Sequence, residues 1–244
     1  MTLLKSANEK KVNLDFNKEF INSFTQNIEN RNVEYINQTL KDLHEADVAN
    51  LIENLNPETR TKLIEIESFN IDPEIFIELN ESIQSEVLQL LSIDSLIKII
   101  RRLESDNAIK ILENLSKDIK EKVLEKLPPK DKFLLQEGLS YPEDSAARIM
   151  QREYAAVPSN WTVGQTIDYL REDKDLPEEF LEIFIVDNDF KPIGTGPSSK
   201  VLRTSRDSKT NSIMRVIPVL ISVNMDKEEV GLTFENYNLV SAGV

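Results

Sequence analysis

From Leu43 to Leu139 a leucine recurs at multiples of twelve residues: Leu43, Leu55, Leu79, Leu91, Leu103, Leu115, Leu127 and Leu139, with Glu67, beside Ile66, out of step. Apolar pairs stand eight and nine positions after most of them, at Leu51/Ile52, Leu63/Ile64, Val87/Leu88, Ile99/Ile100, Ile111/Leu112 and Val123/Leu124. Each pair meets the next leucine at the i, i+3, i+4 spacing of one helical face. Such a period marks an internal repeat, one short helix per unit. Asn56-Pro57-Glu58, Asn80-Glu81, Ser92, Ser116-Lys117-Asp118 and Pro128-Pro129-Lys130 follow the leucines and supply N-cap oxygens or a first-turn proline. They keep neighbouring helices from fusing into one rod. Helices of about ten residues are too short to be stable alone, so stacking on neighbours must hold them. Upstream, Phe16, Phe20, Ile21, Phe24 and Ile28 predict one amphipathic helix, and Val33, Ile36 and Leu40 another; residues 1–12 read as a loose N-terminus.

Near Tyr141 the pattern changes, because β-branched runs and all glycines but Gly138 come after it. The expected organisation is a loose segment 1–12, a helical domain 13–140 and an α/β domain 141–244. Strands are predicted at Ala155–Val157, Ile183–Val186 and around Pro192–Gly194, with a helix Val163–Arg171 and a turn at Asp187-Asn188-Asp189. A second pass predicts a strand Val216–Val223, a helix Asp226–Tyr237 and a strand Leu239–Val244. A helix after Gly194 is the weakest expectation, since Gly196-Pro197-Ser198-Ser199 is rich in breakers. The fold class is therefore multidomain: a superhelix of short α-helices followed by an α/β domain with two similar halves, the second incomplete. That incompleteness reads as a fragment of a longer chain.

Composition narrows the function. Apolar residues make up 40% and charged residues 30% of the 244, a globular balance, and no stretch reaches the roughly 18 apolar residues of a membrane span. Zero cysteines exclude thiolate metal sites and cysteine nucleophiles, and they fit a reducing, cytoplasmic setting. With 29 Lys+Arg against 43 Asp+Glu, the formal charge of −14 disfavours nucleic acid and makes cations the natural partners. The excess is local: residues 34–81 carry twelve carboxylates against three basic residues, and residues 168–189 nine against two. The plain reading of both runs is a solvated face; the sharper one is a cation site. His44, the only histidine, reads as a helix start, and Trp161 as a packing anchor. No GxSxG, HExxH, EF-hand or phosphate-cradling glycine loop is present, so an enzyme is not expected.

The segment Tyr141-Pro-Glu-Asp-Ser-Ala-Ala-Arg-Ile-Met150, then Tyr154-Ala-Ala-Val157-Pro and Trp161-Thr-Val-Gly-Gln-Thr-Ile-Asp-Tyr-Leu170, resembles the junction between the helical N-terminal domain and first CBS motif of MgtE-type magnesium channels. The resemblance extends upstream through Leu43-His44-Glu-Ala-Asp47 and the helical repeat. Downstream it runs through Val186-Asp187 and Asp226-Lys-Glu-Glu-Val230 to Tyr237. It makes the second domain a CBS domain and implies a cytosolic regulator, the cytoplasmic part of an inner- or plasma-membrane protein, whose transmembrane pore is absent from this chain. Regulatory Mg²⁺ would lodge between acids of the helical and CBS domains and hold the pore closed; losing it would let the domains separate. Mg²⁺ suits scattered carboxylates, since it takes oxygen ligands and keeps much of its hydration.

Carried over residue by residue, the family's sensing acids imply Glu74, ahead of the Leu79 repeat, Asp106, fourth in its repeat, and Asp226 and Glu228 at the start of the second CBS helix. Negative charge in a first helical turn is favourable even without metal, which gives Asp226 and Glu228 an ordinary alternative role. Two expected acids are replaced, by Lys110 and Asn238; Lys110 offers Asp106 a surface pair at i, i+4. The CBS resemblance also implies adenine nucleotide, but Pro197-Ser-Ser-Lys200 stands where a Ser/Thr-x-Arg-Asp stretch is usual and Glu182 where an aromatic is, which argues against ATP. Ala147-Arg148 replaces a usual glycine pair. CBS modules pair, so a homodimer through that domain is expected. The rivals are a metal-free scaffold, since the short-helix coil also resembles the helical domains of the flagellar rotor protein FliG, and a nucleotide-sensing CBS regulator. Divalent-dependent compaction, adenylate-dependent stabilisation or neither separates the three.

Overall fold

A computed structural model describes residues 16–66, 72–177 and 179–244. Glu67 and the N-terminal stretch 1–12 lie outside the described residues. Contacts divide the chain into two compact units, residues 1–103 with 110–127, and residues 104–109 with 128–244. This division and the change of sequence pattern near 140 are different boundaries: the helix before Tyr141 belongs by pattern to the repeat and by contact to the second unit.

The helices of the repeat are α1 (Lys18–Glu29), α2 (Val33–Lys41), α3 (Glu45–Asn54), α4 (Pro57–Glu65), α5 (Pro73–Glu78), α6 (Glu81–Leu90), α7 (Ile93–Ile100), α8 (Ser105–Glu113), α9 (Lys117–Lys126) and α10 (Pro129–Ser140). The caps account for the segmentation. Asn56, Asn80 and Ser92 accept from the backbone N–H three residues on, at 2.9, 3.0 and 3.1 Å, and His44 caps α3 through Nδ1. Ser116 makes no side-chain cap. Four of the repeating leucines turn out to stop helices: Leu55, Leu79, Leu91 and Leu127 are C-cap residues with extended backbone, and Ile66 takes that place at the end of α4. Leu55, Ile66, Leu79 and Leu127 are nevertheless buried. One side chain thus ends a helix and fills the core. In the first unit α3 packs on α5, α4 on α6 and α7 on α9, each helix on the next but one. Phe24, Leu51, Leu63, Phe76, Leu88 and Leu96 are fully buried there, each contributing about 1.5–3 kcal/mol relative to exposure.

In the second unit α11 (Ala146–Ile149), β1 (Ala156–Pro158), α12 (Val163–Glu172), β2 (Glu182–Val186), β3 (Pro192–Pro197), α13 (Ser198–Arg203), β4 (Arg215–Val216) and α14 (Lys227–Tyr237) follow α10. The sheet order is β1-β2-β3-β4, with β1 parallel to β2 and the other pairs antiparallel. Ala155, Val157, Val163, Ile183, Ile185, Val201 and Ile213 form the core on one face. Trp161 packs against it, edge-to-face on Tyr169 at 5.7 Å. The helix after Gly194 forms, as α13. Two expected strands do not. Within Val216–Val223 only Val216 pairs, because Pro218 has no N–H to give a ladder. The carbonyls of Val223 and Met225 accept instead from Ala147 and Ala146 at the start of α11, at 3.1 and 2.7 Å. Leu239–Val244 forms no strand either; its tie to the 217–226 segment is the Ile221 N–H donating to Gly243 O at 2.9 Å.

Candidate functional site

The four acids named from the sequence lie in different local settings. Glu74 stands exposed in the first turn of α5, behind Pro73, with its backbone N–H donated to Asp72 Oδ1 at 3.1 Å. The other Asp72 oxygen accepts from Arg102 Nη2, also at 3.1 Å, so a guanidinium already answers part of this acidic run. Asp226 is the N-cap of α14, its Oδ1 accepting from Glu228 N–H at 2.8 Å, and Lys227 between them pairs with Asp144. Both carboxylates are exposed, Asp226 as the cap and Glu228 in the first turn of α14.

Asp106 is different. It sits in the first turn of α8, half-buried, and its Oδ1 is sealed from solvent without a hydrogen-bond partner. Burial pushes its carboxyl above the usual range; the N–H groups of Asn107 and of Asp106 itself pull it down, the charge of Glu153 pushes it further up, and the Arg152 guanidinium pulls it down. The i, i+4 pair with Lys110 does not form; Lys110 points to solvent. Beside Asp106, Glu153 Oε2 accepts from the N–H and Oγ–H of Ser105 at 3.1 and 2.9 Å and from Arg152 N–H at 3.2 Å. This clasp ties the first turn of α8 to the segment before β1. Gly138 on α10 permits the approach, because a Cβ there would overlap the Ile109 side chain and lie 3.2 Å from Arg152 Nη2.

Asp106, Glu137, Arg152 and Glu153 mark the polar end of a cavity of about 670 Å³ within the second unit. Its remaining walls are largely apolar, among them Met150, Tyr154, Phe184, Phe190 and Phe234. Sequence reasoning named Asp106 but neither Glu153 nor Arg152. They follow a helix of four residues and precede a strand of three, where no periodicity singles out a side chain.

Among the described residues no three His, Asp or Glu side chains gather closely enough to hold a metal ion. The donors suit Mg²⁺ in kind, being carboxylate oxygens, and in arrangement they fit an ion that keeps most of its water and touches one or two carboxylates. A dehydrated, chelated ion does not fit. The positions that argued against nucleotide are engaged within the unit: Glu182 Oε2 accepts from Ser241 Oγ at 2.7 Å, and Lys200 Nζ donates to Ile213 O at 3.2 Å.

Residues 43–144 match the MgtE intracellular N domain. The magnesium transporter MgtE of Enterococcus faecalis is 23% identical over 110 residues, covering 45% of this chain and 24% of its own. That of Bacillus subtilis is 22% identical over 106 residues, covering 43% and 24%. The matched region thus spans about a quarter of the length of these curated relatives. Among solved structures, the soluble part of a magnesium transporter superposes with a TM-score of 0.75 at 20% identity over 92% of this chain and 89% of that one. The cytosolic domain of the Mg²⁺ channel MgtE, solved in complex with ATP, superposes with a TM-score of 0.79 at 22% identity over 90% of each. The succession of short helices followed by a small α/β unit is therefore the fold of the soluble part of a magnesium transporter, as the sequence predicted. No helix among the described residues is long and apolar enough to cross a membrane.

Proposed function

We propose that the chain is the cytosolic Mg²⁺-sensing region of a magnesium channel or transporter and has no enzymatic role. The observation that carries this reading is the joint match: a sequence match to the MgtE intracellular N domain over residues 43–144 and the fold of an MgtE cytosolic domain over nine-tenths of the chain. The acidic excess supports it. The carboxylates of Glu74, Asp106, Asp226 and Glu228 repel like charges when no cation is near and lose that repulsion when hydrated Mg²⁺ stands among them. The two units together then form a two-state element biased by Mg²⁺ concentration, and the Mg²⁺-loaded state holds an attached pore closed. The CBS-type unit pairs with a second copy; Leu232 and Tyr237 stand exposed on α14, none of whose residues is buried. Adenine nucleotide has no part in this reading.

A melting curve over a Mg²⁺ titration into the millimolar range, against NaCl of matched ionic strength, tests it. The expected result is a rise in Tm specific to Mg²⁺ and reduced in Glu74→Ala and Asp226→Ala variants. An equal rise in NaCl would mean that the acids are solvated faces, and a rise with ATP alone would favour a nucleotide sensor.

A further inference from the structure

The cavity of the second unit joins two unlike surfaces. Its volume, about 670 Å³, is that of a small-molecule site. Most of the wall is apolar, and Met150, Tyr154, Phe184, Phe190 and Phe234 supply a thioether and four rings. Tyr154 meets Phe184 edge to face at 6.4 Å. Tyr154 and Phe190 are nevertheless 50% and 63% exposed, apolar area that an occupant of the cavity would take out of water.

The polar end sets three carboxylates, Asp106, Glu137 and Glu153, against one cation, Arg152. That cation is already engaged. The Arg152 side chain is 6% exposed, its Nη1 donates to Met150 O at 3.1 Å and its Nη2 to Ala147 O at 3.0 Å, and its Nε is sealed from solvent. An incoming anion therefore finds it occupied and meets the carboxylates instead. Among these, Asp106 keeps one oxygen sealed from solvent, and Glu153 commits Oε2 to Ser105 and to the Arg152 N–H. Glu137 is the one within reach. Its side chain is 42% exposed, and its carboxylate accepts no hydrogen bond from the described residues, with Arg152 Nε standing 3.9 Å away.

We infer that the cavity binds a small organic ammonium, its head on the Glu137 carboxylate and its apolar body among the rings. An ammonium brings three donors and a charge opposite to that of the polar end, and aromatic walls take both cations and apolar groups. A bare metal ion would leave those walls unused, and a neutral apolar molecule would leave Glu137 unanswered. A nucleotide would bring its phosphates against three carboxylates. Both surfaces together select a molecule that carries a positive head and an apolar body. This inference goes beyond Mg²⁺ sensing and does not depend on it.

Three probes of one ring system test it: tryptamine, tryptophol and indole-3-acetate, with ammonium, hydroxyl and carboxylate heads. Each is titrated at neutral pH, without Mg²⁺, into the full chain, followed by calorimetry and by the methyl resonances of Met150 and Val230, both of which line the cavity. Tryptamine is expected to half-saturate at about 1 mM and to shift both methyls. Tryptophol is expected to bind about three- to fivefold more weakly, and indole-3-acetate not to saturate. Glu137→Gln should bring tryptamine to the level of tryptophol and leave tryptophol unchanged, whereas Phe190→Ala should weaken both probes alike. Each variant changes a substantially exposed side chain, so an unchanged melting temperature is expected of both. Tryptamine binding no tighter than tryptophol, undiminished tryptamine affinity in Glu137→Gln, or binding that leaves the Met150 and Val230 methyls unmoved overturns the proposal. Failure of tryptamine to saturate by about 20 mM overturns it as well.

Discussion

Replacing Arg60 by alanine probes how the helical unit holds its short helices together. The Arg60 side chain is 5% exposed and reaches from α4 to Glu86 on α6, with Nε to Oε1 at 2.9 Å and Nη2 to Oε2 at 2.7 Å. Its Nη1 donates to the carbonyl of Leu55, the leucine that ends α3, so one side chain joins three helices. Breaking a buried ion pair from one side costs about 3–5 kcal/mol. Glu86 is 33% exposed and regains part of its hydration when abandoned, which lowers the figure to about 2–3 kcal/mol. With a urea slope of about 2 kcal/mol/M, the midpoint followed by far-ultraviolet circular dichroism should fall by about 1–1.5 M. Lys62→Ala removes the exposed i, i+4 pair with Glu58 on the same helix and should leave the midpoint unchanged. A fall below about 0.3 M for Arg60→Ala, or equal falls for the two variants, would refute the reasoning from burial.

Other consequences follow from the same geometry. The hydrogen bonds from Arg60 hold the Glu86 carboxyl below the ordinary glutamate value of 4.5, against a smaller opposing effect of burial. A carboxylate held low stabilises the fold above its unfolded pKa and loses that contribution as pH falls through the folded one. The stability gap between wild type and Arg60→Ala should therefore narrow as urea titrations are carried below about pH 4.5, and a constant gap would contradict the pairing. Asn80→Ala should cost about 1 kcal/mol by removing the cap of α6, whereas Ser116→Ala, at a position with no side-chain cap, should cost close to nothing in the same assay. Gly194→Ala places a Cβ 2.7 Å from the Arg215 carbonyl, a backbone atom that cannot turn aside; a loss of about 1–3 kcal/mol and faster amide exchange at the β3–β4 pair are expected, and unchanged exchange would show that the sheet edge yields freely.

The helical repeat was legible because each unit writes the same instruction twice, an apolar pair on one face and a polar cap after the leucine. What the period could not tell was that the leucine belongs to the break. Leu55 and Leu79 keep helical spacing to the residues before them, and only the cap that follows forces their backbone to extend. In the second unit β1, β2 and α12 lie within one or two residues of their expected limits, since β-branched runs and the Thr162–Gln165 capping box mark them locally. The stretch from Val216 to Val223 has the same β-branched look but puts Pro218 where a ladder needs a donor, and its carbonyls bond to α11, nearly eighty residues earlier and outside any sequence window. The candidate site divides likewise. Asp106, Asp226 and Glu228 stand at helix starts, where resemblance and capping chemistry both point. Arg152 and Glu153 bond to Ser105, some fifty residues earlier, and only the fold brings them together.

The most direct test of the sensing function is small-angle scattering from the chain over a Mg²⁺ titration, with NaCl of matched ionic strength as the control and a Glu74→Ala/Asp106→Ala variant alongside. Mg²⁺ is expected to lower the radius of gyration where NaCl does not, and the double variant is expected to lose that fall. A radius that responds equally to both salts, or a variant that contracts as the wild type does, would contradict it.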